Sequence, residues 1–315
     1  MRVAILDDIH HAYEGTKGVR RLRERAGVRI FTAPFGEPSA LGGYDALIAN
    51  RERTTFSREL FRQLPDLRIL VQTGNHAYHV DFAAAAERGV VVARASGGFS
   101  AGAAELAIGL AIALMRQIPA VDHAVKGGEW RTPLTCVLHG KTIGIIGLGR
   151  IGRHVAKIAR AFDMQVLAWG PRLTDEIATS AGAERYALDD LLGASDIVSI
   201  HATLSAESRG LLDARRIGLM KSTSYLVNTA RGPIVDEQAL VAALAGGRIA
   251  GAGLDVFDQE PLPAGHPLTK LPHVILTPHL GWPTDEGYAH FADAAADVLL
   301  AYLDGHDVPR FIDCH

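Results

Sequence analysis

The sequence predicts an α/β chain of two domains, and three observations carry that reading. A length of 315 residues is more than one ordinary domain needs. Short Val- and Ile-rich runs alternate with helix-compatible stretches, the pattern of parallel strands covered by helices on both faces. The alternation comes in two series, and the second opens on a glycine-rich turn, Gly147-Leu148-Gly149-Arg150-Ile151-Gly152.

The first series places strands at 3–6, 28–31, 46–48, 69–71 and 90–92. Helix-compatible segments at 18–25, 58–64 and 82–88 lie between them. The second series places strands at 142–146, 165–168, 197–200, 225–228, 251–254 and 274–276. Six strands is the count of a complete dinucleotide-binding sheet, so the second half reads as whole and the first as a smaller unit. Two Ala- and Leu-rich helices flank the second series, at 101–127 with a break or kink at Pro119, and at 285–303. A helix on each side of an insertion lets the chain leave the first domain and return. The expected domains are therefore 1–100 with 285–315, and 101–284, with 308–312 returning to the first. The competing arrangement keeps the last helix on the second domain. No internal repeat or low-complexity tract is visible.

Composition narrows the function classes. The chain is 48% hydrophobic and 21% charged, enough for a sizeable core. A net charge of −3 gives no reason to expect nucleic acid or an anionic membrane as partner. The apolar run 106–115 is half the roughly 20 residues a membrane span needs, and reads as a buried helix. The two cysteines, Cys136 and Cys314, make no disulfide framework, and a reducing cytoplasm is expected. The N-terminus enters a strand pattern directly, so no export signal is expected. No metal site is expected.

The glycine turn follows a strand and precedes a helix-compatible stretch, the context a dinucleotide loop requires. Gly147 permits the tight turn, Gly149 lets backbone approach a pyrophosphate, and Gly152 lets helix and strand pack. The helix start at Arg150 and Ile151 offers free N–H groups to phosphate. The bland alternative is a glycine-rich turn with no ligand. An NAD site places Asp or Glu about 20 residues on, at the end of the second strand. Here that strand runs out through Trp169-Gly170-Pro171-Arg172. Gly170 stands where the acid belongs, and Arg172 is suited to a 2′-phosphate. The cofactor is thus NAD or NADP, with NADP slightly favoured. Arg172 as a solvated charge is the competing view, and Asp175 or Glu176 swinging back would restore NAD.

Three segments leave successive strands of the second series: Asn228-Thr229-Ala230-Arg231-Gly232, Leu254-Asp255-Val256-Phe257-Asp258-Gln259-Glu260-Pro261 and Thr277-Pro278-His279-Leu280-Gly281-Trp282. Open α/β sheets bind ligands at the carboxyl ends of their strands. Reducing a 2-oxo acid needs a forked cation for the carboxylate, a proton donor for the carbonyl oxygen, and a carboxylate behind that donor. Arg231, His279 and Glu260 fill those roles. Singly, each is more often a surface or loop residue; their joint placement makes the case.

These motifs, with Asp196-Ile197-Val198-Ser199-Ile200-His201, Leu219-Met220-Lys221 and Pro233-Ile234-Val235-Asp236-Glu237, resemble the D-isomer-specific 2-hydroxyacid dehydrogenases over nearly the whole length. That family includes phosphoglycerate, glyoxylate and hydroxypyruvate enzymes. The resemblance implies a flavodoxin-like substrate domain made from both chain ends and an inserted Rossmann domain. It implies a small 2-oxo or 2-hydroxy acid substrate and a homodimer joined through the cofactor domain. It places Arg231 on the substrate, Glu260 and His279 as the acid–base pair, and Asp255 on the nicotinamide carboxamide. His201 and Ala230 join the cofactor set, and Thr73-Gly74-Asn75 presents backbone N–H groups to the substrate carboxylate. Ala103 stands where many members carry Thr or Val near the nicotinamide. No C-terminal regulatory domain follows, so amino-acid feedback is not expected. Arg51 and Arg53, just past a strand, suit a phosphorylated substrate or are plain surface charges. Tyr78 and Trp282 are candidate pocket walls, with core packing as the alternative, and Trp130 is read as packing. A cofactor-sensing, corepressor-like binding protein on the same scaffold is the competing function.

Overall fold

The computed structural model describes residues 1–74, 76–95 and 99–311. The chain forms two compact units, Met1–Phe99 with Pro283–His315, and Ser100–Trp282.

Unit 1 begins with β1 (Arg2–Ile5), α1 (Lys17–Arg23), β2 (Gly27–Ile30), β3 (Ala46–Ala49), α2 (Arg58–Arg62), β4 (Ile69–Thr73), α3 (Phe82–Glu87) and β5 (Val91–Ala95). The sheet order is β2-β1-β3-β4-β5, all parallel, which is the flavodoxin-like order. β3 and β4 are buried along their whole length, so they read as continuous apolar runs instead of alternating ones. Thr16, Ser57 and Asp81 each cap a helix by accepting a first-turn N–H, which fixes where α1, α2 and α3 start.

Unit 2 follows with α4 (Ser100–Met115), α5 (Ile118–Lys126), β6 (Thr142–Ile146), α6 (Arg150–Ala161), β7 (Gln165–Trp169), α7 (Asp175–Ser180) and β8 (Glu184–Arg185). Then come α8 (Leu188–Ala194), β9 (Ile197–Ile200), α9 (Ala214–Ile217), β10 (Tyr225–Asn228), α10 (Glu237–Ala245), β11 (Gly251–Leu254) and β12 (Val274–Leu276). The parallel sheet runs β12-β11-β10-β9-β6-β7-β8, the Rossmann order with one extra strand. One face packs Leu110, Leu114, Val155 and Ala159 of α4 and α6 on Ile143 and Ile145. The other packs Leu191, Leu192, Ile217 and Leu240 of α8, α9 and α10 on Val198 and Leu226. Strand order reverses between β6 and β9, the switch point where such sheets bind ligands.

The last helix, α11 (Asp285–Leu303), belongs to unit 1, as does the segment after it. Arg310 bridges Ala93 in antiparallel fashion, the Arg94 N–H donates to Pro309 O at 2.7 Å, and the Phe311 ring lies 6.1 Å from that of Phe82. Ile312 and Cys314 lie outside the described residues.

Three features differ from the sequence reading. The break after α4 falls at Arg116-Gln117, with Gln117 left-handed at φ 52°. Pro119 sits in the first turn of α5, where its missing N–H costs nothing. β8 is an additional strand; two charged residues at a sheet edge carry no apolar pattern to read. Trp130 is 86% exposed, with Leu134 at 98%, so Trp130 does not pack in this chain's core. Among the described residues, no single helix is long and apolar enough to cross a membrane, and no cluster of His, Cys, Asp and Glu is suited to a metal ion.

Candidate active site

The glycine turn does what its spacing requires. Gly147 leaves β6 at φ 98°, and a side chain there would stand 2.6 Å from the Ala202 backbone nitrogen. A side chain at Gly152 would collide with Gly147 O, so its absence seats α6 on the turn. Gly149 faces open space, and it begins α6 without any side-chain cap. The N–H groups of the first α6 turn, at Arg150 and Ile151, are therefore left for an anion. This backbone cradle fits a dinucleotide pyrophosphate.

Two buried polar atoms at the carboxyl ends of these strands have no hydrogen-bond partner among the described residues, His201 Nδ1 and Thr229 Oγ1. His201 is otherwise held by Ser199 Oγ at 2.8 Å, and burial pushes its pKa down to about 4, so the ring is neutral at physiological pH. Ala230 is fixed by the Asn228 side chain, which accepts from Ala230 N at 3.0 Å and donates to Arg231 O at 3.0 Å. Arg172 is exposed and forms no ion pair with the described residues. Asp175 is already engaged, with Arg185 Nε at 2.6 Å, and both Asp175 and Glu176 sit in the first turn of α7.

The structure brings Glu260 and His279 into direct contact. His279 Nδ1 lies 2.7 Å from Glu260 Oε2, and the other carboxylate oxygen accepts the Phe257 N–H at 3.0 Å. Partial burial works against the Glu260 charge, but the His279 hydrogen bond, the Phe257 N–H and the nearby Arg231 cation outweigh it, and its pKa falls below the ordinary value. Arg231 reaches this neighbourhood because Gly232 has no side chain. A Cβ at Gly232 would occupy the Phe257 backbone, so only glycine lets the loop after β10 lie on the chain leaving β11.

His279 is a non-glycine residue at φ 57°, a conformation that costs on the order of 1 kcal/mol. Asp255 holds it there. This fully buried carboxylate accepts from Thr277 Oγ1 at 2.5 Å, Leu280 N at 2.7 Å and Gly281 N at 2.9 Å, while its backbone oxygen accepts from His279 N at 3.0 Å. Burial still raises its pKa against those three donors. Both Asp255 oxygens are thus spent on the turn, a role that spacing alone did not reveal. Ala103, buried on α4, lies under Gly281. Trp282 is half-buried.

The remaining candidates lie in unit 1. Thr73 ends β4, and Gly74 follows at φ 92°. Arg51, itself at φ 59°, lays its guanidinium where a Gly74 side chain would be, with Nη1 2.5 Å from that position. Arg53 is tied to Asp7 O at 2.7 Å. Tyr78 is 76% exposed and meets His79 edge-on at 5.7 Å, so core packing does not account for it. Asn75 lies outside the described residues.

A complete Rossmann sheet with an imidazole–carboxylate pair beyond its strand ends defines a nicotinamide-dinucleotide oxidoreductase. Residues 108–281 match the model of the D-isomer specific 2-hydroxyacid dehydrogenase NAD-binding domain. The chain is 41% identical over 262 residues to a glyoxylate reductase of Thermofilum pendens, covering 81% of this chain and 77% of that one. It is 39% identical over 272 residues to a D-3-phosphoglycerate dehydrogenase of Bacillus subtilis, covering 86% of this chain but only 51% of the relative. A putative D-3-phosphoglycerate dehydrogenase from Ralstonia solanacearum superposes with a TM-score of 0.87 at 33% identity, over 98% of this chain and 96% of its own. The chain belongs to the D-isomer-specific 2-hydroxyacid dehydrogenase family.

Asp255→Ala frees the 277–281 turn that carries His279, and a reacting group misplaced by about 1 Å loses about 100-fold in rate. We expect kcat to fall at least tenfold together with a lower Tm; full turnover would show that Asp255 does not hold His279. For His201, the depressed pKa makes stability present above pH 6.5 and lost as pH falls toward 4, because only the unfolded chain takes up the proton. Urea unfolding at pH 7 and pH 5 should show wild type losing about 2 kcal/mol more than His201→Gln. Equal losses in the two proteins would mean that the native ring is free to charge.

Proposed function

We propose that this protein is an NAD(P)H-linked reductase of small 2-oxo acids, also able to oxidise the D-2-hydroxy acid. The observation that carries this is the 2.7 Å contact of His279 with Glu260 on the sheet that bears the glycine turn. When bound, the nicotinamide supplies the hydride. Gly147, Gly149 and Gly152 shape the backbone that holds the pyrophosphate, with the Arg150 and Ile151 N–H groups as donors and His201, Ala230 and Asp255 nearby.

Arg231 grips the substrate carboxylate through two parallel N–H groups. With Nδ1 turned to Glu260, the His279 Nε2–H is free to protonate the carbonyl oxygen. Glu260 stabilises the imidazolium and fixes the ring orientation. Unit 1 is the substrate domain, where Thr73 and Gly74, with Arg51, receive the acid and Tyr78 is a candidate wall; on unit 2, Trp282 is another candidate wall. Asn75 belongs to the same proposed set.

The absent acid at Gly170 and the unpaired Arg172 favour NADPH. The exposed Trp130, Leu134 and Val137, on one segment of unit 2, support a homodimer. Two thinly placed cysteines and a low net charge support a cytoplasmic protein. A corepressor-like reading has no observation in its favour.

His279→Ala is expected to cut kcat by about 100-fold or more while cofactor affinity, read by NADPH fluorescence, stays near wild type. Undiminished turnover would remove His279 from its role. Arg172→Ala should weaken NADPH by roughly tenfold and leave NADH unchanged; equal effects on both would return Arg172 to the solvated surface.

A further inference from the structure

A glutamine in the middle of a buried strand needs an explanation. Gln72 is fully buried on β4, in the run Ile69-Leu70-Val71-Gln72-Thr73, and a buried amide is costly unless its donors and acceptor are all engaged. All are. Gln72 Nε2 donates to Arg51 O at 2.9 Å and to Thr73 O at 3.0 Å, and Gln72 Oε1 lies 3.1 Å from His79 Nε2.

The two carbonyls it holds belong to two left-handed turns. Arg51, just past β3, is at φ 59°, and Gly74, just past β4, is at φ 92°. The turns are cross-linked again by the Arg51 N–H to Thr73 Oγ1 at 3.0 Å, and that hydroxyl donates to Ala49 O at 2.9 Å. His79 is fixed in its turn: it is 9% exposed, its backbone oxygen accepts from Phe56 N at 2.8 Å, and its ring lies 6.4 Å from that of Phe56. Its Nδ1 is buried and has no partner among the described residues, so the ring is neutral, and the hydrogen sits on Nε2, pointing at Gln72.

We propose that His79 and Gln72 are positioning residues for substrate recognition. The Nε2–H of His79 orients the Gln72 amide, and that amide locks the Arg51 and Thr73–Gly74 turns so that the Arg51 guanidinium lies over Gly74. Neither side chain touches the reacting atoms. Both act by holding a backbone that would otherwise relax out of the strained conformation at Arg51 and loosen the glycine turn beside it, which preorganises the turn for a carboxylate. Two otherwise unexplained buried polar residues thereby acquire one function. The proposal rests on the reading that the 73–74 turn receives the substrate.

The test is steady-state kinetics with glyoxylate and hydroxypyruvate, paired with circular dichroism and thermal unfolding to verify that each variant is folded and with fluorescence titration of NADPH. Removing the donor in His79→Leu is expected to raise KM for the 2-oxo acid by roughly tenfold, with NADPH affinity and kcat near wild type. His79→Gln keeps an amide donor and is expected to hold KM within about twofold of wild type. A Leu variant with wild-type KM, or a Gln variant as impaired as Leu, overturns the proposal; should the Leu variant fail to fold, the Gln variant decides by its KM. Gly74→Ala, which strains the turn and pushes on the Arg51 guanidinium, separates the two layers. A raised KM there with wild-type KM in His79→Leu overturns the positioning role alone, whereas wild-type KM in both overturns the reading that the 73–74 turn receives the substrate.

Discussion

A buried carboxylate holds the proposed catalytic turn together. Asp255 binds Thr277, Leu280 and Gly281 at once, and its backbone oxygen holds the His279 N–H. The result is a left-handed histidine whose Nδ1 meets Glu260. Charge-assisted hydrogen bonds in a dry setting are strong, so one residue offsets the strain of the turn and fixes the ring. Without that clamp the imidazole would be one more loop histidine among the 14 in the chain.

The same economy of design recurs at two other places. Gly232 is absent of side chain so that Arg231 can share the Phe257–Glu260 neighbourhood, and Gly152 is absent of side chain so that α6 can sit on the glycine turn. In unit 1 the Gln72 amide ties the strained turn at Arg51 to the glycine turn after β4. In each case an irregular backbone at the carboxyl end of a parallel strand is held by hydrogen bonds or close packing, and the regular sheet behind it supplies the rigidity.

Much of this was legible in the sequence, for identifiable reasons. β6, β9, β10 and β11 were readable because parallel strands buried on both faces are unbroken apolar runs, and the half-buried edge strand β12 by its Val-Ile-Leu run. The glycine turn was readable because each glycine answers a steric demand that no other residue meets. Glu260 and His279 were readable as members of a set following successive strands. Asp255 as a clamp was not, because its three donors are backbone and hydroxyl groups that carry no spacing signal. Gln72 and His79 were missed because a polar residue in an apolar run is noticed only when its partners are known. The residues sequence pattern could signal were an amide inside β4 and a histidine seven positions on, which predict burial with partners but not which carbonyls they serve. β8 is two charged residues long, below what periodicity can register.

The most direct test of the catalytic account is a crystal structure of the protein with NADPH and oxamate, an unreactive amide analogue of a 2-oxo acid. The account predicts the oxamate carboxylate on the paired N–H groups of Arg231 and its carbonyl oxygen within hydrogen-bond distance of His279 Nε2, with Glu260 still on Nδ1. Oxamate bound away from Arg231, or His279 turned from its carbonyl oxygen with Glu260 unpaired, would contradict it.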